Sequence, residues 1–310
     1  MPTSSGTIDP TTDRATDLTA VRTGRLDVPG ATLHYEVRGC GPLLVMMPGG
    51  SADAGIYDAL AVGLADRWTV ATFDPRGYSR STLHGPVTDQ LPRTHSEDIA
   101  RLVELLSPDG APVAVFGSSS SAVVALDLLS SRPGLLSRVV AHEPPLVELL
   151  PDPAAGRALF AAVRESFRRD GVEAAMATMA AGLAPDDDSE QQRGDGADDD
   201  HRSADAGKSD GPSPEEAATF RRMVANLPVF LEHVLCPFSG YVPDLAALRA
   251  AAPKLVVGVG RDSRAMLPAV AAERLARRVG SGTVDFPGSH IGLTEDPVAF
   301  GARLREALLG

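Results

Sequence analysis

Short runs that are apolar at every position recur along this chain, and segments with the period of a helix separate them. Leu43-Leu44-Val45-Met46-Met47 is the clearest run. A strand with one wet face alternates apolar and polar residues. A strand covered on both faces does not, and such coverage belongs to a parallel sheet flanked by helices. Further core strands are expected at Trp68–Phe73, Pro112–Phe116, Arg138–Ala141, Lys254–Val259 and Thr283–Phe286. Helical patterns at Tyr57–Leu64, Thr94–Leu106, Ala122–Leu129, Leu267–Val279 and Phe300–Leu309 fall between and after them. Parallel strands need crossovers of about this length. The fold class is therefore α/β: a three-layer sandwich with a mostly parallel central sheet. Two shorter strands, Leu26–Val28 and Leu33–Val37, joined at Pro29-Gly30-Ala31, precede it.

The rhythm breaks once. Between the fourth and fifth core strands no strand pattern is found, and helices are expected at Asp152–Arg169, Val172–Leu183 and from Pro214 towards Leu227. Pro228 is expected to bend or end the last of these, with Val229–Val234 as a short continuation. This reads as a helical cap over 146–249, inserted into a core made of 24–145 and 250–310. Residues 1–23, rich in Thr, Ser, Asp and Ala without periodicity, read as a flexible leader. Asp186–Glu216 holds twelve acidic and three basic residues, so it carries −9 of the chain's −12. Residues 186–212 of it are expected to be a disordered, solvated loop. Its Asp198-Asp199-Asp200-His201 cluster lacks the spacing of a calcium loop.

Charge and cysteines narrow the function. With 29 Lys and Arg against 41 Asp and Glu, no basic face for phosphates is expected, which excludes a general nucleic-acid binder. No apolar stretch is long enough to span a membrane, and no secretory signal core follows Met1-Pro2-Thr3, so a cytoplasmic protein is expected. Cys40 and Cys236 are far apart and form neither a zinc pattern nor a disulfide framework.

The chemistry is concentrated in Val115-Phe116-Gly117-Ser118-Ser119-Ser120-Ser121-Ala122. A strand that turns at once into a helix leaves little room around the central residue. Small residues two places to either side let the backbones approach. Gly117 and Ser121 meet that need around Ser119, which is then presented above the sheet. Centring on Ser118 would put Phe116 at a close-approach position, and centring on Ser121 would start a turn too late. The amides at the helix N-terminus point at the same place and can meet developing negative charge. His290, in Gly288-Ser289-His290 after the last strand, is the candidate general base.

These segments resemble the α/β-hydrolase superfamily over roughly residues 24–310. Gly117-Ser118-Ser119-Ser120-Ser121 is similar to its GxSxG, with Ser in the last place. Asp74-Pro75-Arg76-Gly77-Tyr78-Ser79-Arg80-Ser81 is similar to its DxRGxGxS, with Ser79 for a glycine. Gly288-Ser289-His290 and Pro297-Val298-Ala299-Phe300 are similar to its terminal segment. The resemblance implies a serine nucleophile, an acyl-enzyme and an oxyanion hole made by the amides of Gly50 and Ser120, although Pro48 stands where a His is usual. It implies an acid after the fifth core strand, where Asp262 sits. Some members carry the acid at the end of the preceding core strand, which makes Glu143 the alternative. It implies no cofactor and no metal, and an ester, thioester or lactone substrate. The Leu, Phe, Val and Ala content of the cap makes a small, largely apolar substrate the expectation. Perhydrolysis of the haloperoxidase kind, C–C bond hydrolysis and a catalytically silent binding protein remain as alternatives. Asp74 and Arg76 are expected to be structural, Met46 and Met47 to fill the core, and His233 is a candidate pocket residue.

Overall fold

The computed structural model describes residues 20–183 and 213–310. The expected leader and acidic loop lie almost entirely outside these residues, and so does the Asp198–His201 cluster. Nine strands form one sheet: β1 (Arg22–Val28), β2 (Ala31–Arg38), β3 (Leu43–Met47), β4 (Thr69–Phe73), β5 (Thr82–Leu83), β6 (Val113–Ser118), β7 (Leu136–His142), β8 (Leu255–Gly260) and β9 (Thr283–Phe286). Their order is β1-β2-β4-β3-β6-β7-β8-β9, with β5 against β2. The six from β4 to β9 along this path pair in parallel. β1, β2 and β5 pair antiparallel at one edge. Thr82–Leu83 is the one strand the sequence pattern did not announce, being two residues long.

The all-apolar strands divide their side chains between two cores, as the period of two requires. Val45 and Met47 of β3 and Val113 and Val115 of β6 enter one cluster. Leu44 and Met46 of β3 and Ala114 and Phe116 of β6 enter the other. Helices α1 (Asp58–Leu64) and α11 (Pro297–Leu309) cover the second cluster. Helices α2 (Pro92–Leu106), α3 (Ser120–Ser131) and α9 (Leu267–Val279) cover the first. Phe116 is fully buried and meets the edges of Tyr57 and Phe300. Its truncation to Ala is expected to cost about 3–5 kcal/mol. The order β4-β3-β6 makes β3 a topological switch point, and a crevice opens beyond the carboxyl ends of these strands.

Between β7 and β8 the chain builds the cap: α4 (Pro153–Asp170), α5 (Val172–Leu183), α6 (Pro214–Val229) and α7 (Leu235–Ser239), followed by α8 (Leu245–Ala250), which packs back on α3 and α9. Ser213 starts α6 with a capping box. Its hydroxyl accepts from the Glu216 amide at 3.2 Å, and its own amide donates to the Glu216 carboxylate at 2.8 Å. Pro228 does not end α6. The helix runs through it to Val229 and then widens into a π-helical turn, Phe230–Val234. The turn begins two residues beyond Pro228, and the stretch continues into α7.

Candidate active site

Ser119 lies between β6 and α3 with φ 59° and ψ −126°, a conformation that a side chain adopts only under constraint. Three features impose it. The Ser119 amide donates to the His142 carbonyl at 2.9 Å. A Cβ on Gly117 would come within 2.5 Å of the Ser121 carbonyl oxygen, so only glycine fits there. The Ser121 hydroxyl donates to the Ser118 carbonyl at 2.8 Å and accepts from the Ser118 amide at 2.9 Å. Serine thus holds the turn closed where the resemblance leads one to expect glycine.

His290 lies in the loop after β9, half-buried, and its Nδ1 is 2.5 Å from Glu143 Oε2. Glu143 follows β7 directly, at φ 47°, with its side chain fully buried. Its other oxygen accepts from the Gly260 amide at 2.7 Å and the Ser263 hydroxyl at 2.5 Å. Burial alone would raise this carboxyl. The hydrogen bond from His290, the two imidazoles nearby and the Ser263 hydroxyl outweigh it, so the group sits below the ordinary glutamate range.

The sequence named Asp262 with Glu143 as the alternative, and of the two it is Glu143 whose carboxylate is bonded to His290. Asp262 is exposed after β8, and its carboxylate makes no hydrogen bond among the described residues. Its backbone amide donates to the Gly288 carbonyl at 3.1 Å, so the residue steadies the histidine loop without orienting the ring. The physical reason is the direction of the backbone. With a positive φ at Glu143, its carboxylate lies at the end of β8, where the Gly260 amide donates to it.

The expected oxyanion donors stand together in a particular way. Gly50, at φ 59°, donates its amide to the Ser120 hydroxyl at 2.9 Å. Ser120 is the first residue of α3, so its own amide has no acceptor within the helix. The loop is pinned by its carbonyls: Gly49 accepts from the Ala52 amide at 3.1 Å, Gly50 from the Tyr78 hydroxyl at 3.1 Å, and Ser51 from Asn226 at 2.9 Å. Gly49 itself is required, since a Cβ there would meet the Ser118 carbonyl oxygen at 2.2 Å.

Ser119, Ser120, Gly50 and His290 border one cavity of about 420 Å³ beneath the cap. No hydrogen bond joins the Ser119 hydroxyl to His290 in this structure, and such bonds commonly tighten only when substrate binds. Most of the rest of the wall is apolar, with Phe160, Met176, Met179, Met223, Leu227 and Phe230 from the cap helices and their π turn. His290 is the one titratable imidazole on it, and no Lys, Arg, Asp or Glu borders it among the described residues. His233 is elsewhere, with Nδ1 3.0 Å from Asp89. Asp74 holds Arg80 and the Ala54 amide, while Arg76 pairs with Asp98. Both therefore brace the loops around the site. Among the described residues no three His, Cys, Asp or Glu side chains cluster as metal ligands, and no described helix is long and apolar enough to cross a membrane.

Sequence reasoning did not find Ser263, Asn226 or His142. His142 is fully buried beside Glu143, with Nδ1 2.9 Å from the Ser118 hydroxyl. It lies between Phe286 and Phe300. Burial pulls it down to about 4; Glu143 opposes that shift and His290 adds to it. Its position beside Glu143 at a strand end was the only signal available.

Comparison with known proteins bears on the family and the fold. The chain is 31% identical to the uncharacterized hydrolase YraK of Bacillus subtilis, over 93% of this chain and 96% of that one. Its fold is similar to that of a thermophilic esterase from Thermogutta terrifontis, with a TM-score of 0.68 and 19% identity, covering 93% of this chain and 98% of that one. It is also similar to the fold of the enol-lactonase from Burkholderia xenovorans, with a TM-score of 0.58 and 17% identity over 93% of this chain and all of that one. The model of the alpha/beta hydrolase family matches residues 44–303, and the chain belongs to that family of enzymes.

Proposed function

We propose that the protein is a serine hydrolase of neutral, largely apolar esters or lactones, acting through an acyl-enzyme. The observation that carries this reading is the buried Glu143 bonded to His290 Nδ1, on the same cavity as a serine at a constrained elbow. Glu143 fixes the tautomer that leaves His290 Nε2 free to accept a proton. Ser119 Oγ attacks the acyl carbonyl, and its proton passes to Nε2. The carbonyl oxygen becomes an oxyanion, which the amides of Ser120 and Gly50 receive. Gly50 must first turn its hydrogen bond from the Ser120 hydroxyl, or share it. Collapse breaks the acyl–oxygen bond, and the imidazolium protonates the leaving alkoxide. Water then gives its proton to His290 and attacks the acyl-enzyme, releasing the acid and restoring Ser119.

The wall chemistry supports the substrate class. Among the described residues no Lys, Arg, Asp or Glu borders this mainly apolar cavity, so none of them replaces the hydration of an ammonium or a carboxylate. Three methionines can repack around different acyl shapes. A cytoplasmic location belongs to the same proposal, supported by two unpaired cysteines, Cys40 and Cys236.

The test is intact mass and peptide mapping after incubation with a small fluorophosphonate. One stoichiometric adduct on Ser119, absent in Ser119→Ala and strongly slowed in His290→Ala, is the expected result. Folded protein that takes no label from this or a smaller probe would leave the fold as a binding scaffold and overturn the proposal.

A further inference from the structure

Helix α6 of the cap presents two neighbouring stripes to the site. Met223 and Leu227 border the cavity. Arg222 and Asn226, each one residue earlier and four apart, reach the loop that carries Gly50. The Asn226 side chain is buried and fully used. Its Nδ2 donates to the Ser51 carbonyl at 2.9 Å and contacts the Ser79 hydroxyl at 2.9 Å, and its Oδ1 accepts from the Ser79 amide at 2.8 Å. Both backbone partners have fixed roles, so the amide can lie only one way round, and only a side chain with both donor and acceptor serves. One turn earlier, the Arg222 guanidinium bonds the fully buried carboxylate of Asp53, with a second contact at 3.2 Å. The approach is close: a Cβ on Gly55 would stand 2.5 Å from Thr219 Oγ1 of the same helix.

We infer that Asn226 is a positioning residue for the reaction. It ties the cap to the oxyanion loop at Ser51, so that seating a substrate against Met223 and Leu227 helps set the Gly50 amide. This rests on the hydrolase reading above, in which Gly50 is a donor to the oxyanion. Of the three carbonyls that hold the loop, Gly49 is bonded within the loop by Ala52 and Gly50 from the core by Tyr78. Ser51 alone is bonded from the cap. Loss of that bond frees the loop on the side that faces the helix. A donor displaced by a fraction of an ångström is weakened in the transition state more than in the ground state.

The experiment compares wild type, Asn226→Ala and Asn226→Asp, with Phe220→Ala as an exposed control on the same helix. Asn226→Asp keeps an acceptor for the Ser79 amide and loses the donor to Ser51, at unchanged size. Steady-state rates on a neutral ester and deuterium exchange of the peptide over 48–53 are measured. The expected result is a fall in kcat of about tenfold or more in both Asn226 variants, with KM changed less than about threefold. Exchange of 48–53 quickens in both, while that of β6 does not. Phe220→Ala matches wild type. Should Asn226→Ala not fold, the isosteric Asp variant carries the same comparison. A rise in KM alone, or an Asp variant with wild-type kcat and exchange, overturns the inference. Wild type that takes no fluorophosphonate and turns over no ester overturns the hydrolase reading instead. The exchange comparison needs no turnover and reads the tie independently.

Discussion

The two halves of the site are held by different means. The base half, Glu143 and His290, is fastened entirely by the sheet domain. The Gly260 amide and the Ser263 hydroxyl take one carboxylate oxygen, His290 takes the other, and Glu295 holds Ser289 beside the histidine. The oxyanion half is shared, because the loop at Gly49–Ser51 is bonded by the core on one side and by α6 on the other. In the proposed reaction, proton transfer therefore falls to the part bonded within the sheet domain. The part that receives charge is open to influence from whatever fills the cap.

Substitutions on the base half should strike kcat hardest. Ser119→Ala is expected to lower it by roughly 10⁴-fold or more, since nucleophile loss removes the covalent route. Glu143→Gln should cost on the order of 10³- to 10⁴-fold by admitting the wrong tautomer of His290. Asp262→Asn, by contrast, should stay within about twofold, as is usual for an exposed side chain without partners. Steady-state kinetics on one neutral ester checks all three. Equal losses in Glu143→Gln and Asp262→Asn would break the division of labour drawn here.

Ser263→Ala should be smaller, about tenfold in kcat, because Gly260 still holds the same oxygen. On the cap side the signature should differ. Met223→Lys places an ammonium in the apolar wall, and KM for a long neutral ester is expected to rise about tenfold or more as apolar contact is lost. The same change should favour an ester with a carboxylate on its acyl chain, and competition between the two substrates measures this. A kcat effect without a KM effect would place Met223 with the base half.

The smallest effect concerns the packing behind the base half. His142 is buried neutral with its value near 4, and His95, in α2, lies near 3, burial being the main cause in both. The unfolded chain takes up these protons at about 6.5. Between pH 6.5 and 4 it therefore binds more protons than the folded protein does, and stability falls as pH falls. Each group contributes at most about 1.4 kcal/mol per pH unit in that window. Urea unfolding at pH 7 and 5 should show the loss, and it should be smaller in His142→Gln. An unchanged difference would mean that His142 is not kept neutral by its surroundings.

Much of this was legible from residue order. Short, largely apolar runs marked six parallel strands, and Gly117 and Ser121 around Ser119 marked the elbow, because both signals are local in the chain. The acid was not legible in the same way. Asp262 and Glu143 lie at the ends of adjacent strands, and choosing between them depends on a positive φ and on which side chain finds room over β8. Neither is written in the local pattern. Asn226 was hidden for a related reason. Its partners, Ser51 and Ser79, are far away in sequence, and nothing in a helix of mixed composition marks one asparagine as buried. Pro228 misled towards a helix end because the residues after it, Val229 and the π turn, keep the backbone helical past the proline.

The contacts of α6 bear on inheritance. Asp53, Gly55 and Ser79 belong to the core, whereas Arg222, Asn226 and Thr219 belong to the insertion, and each set is shaped for the other. Recombination between relatives that exchanged the insertion alone would pair α6 with an unmatched loop. It would leave a buried carboxylate without its guanidinium and a Ser79 amide without its acceptor. Viable chimeras of this enzyme should therefore carry the stretch from Ser51 to Ser79 together with α6, although Ser79 and Asn226 are 147 positions apart in sequence.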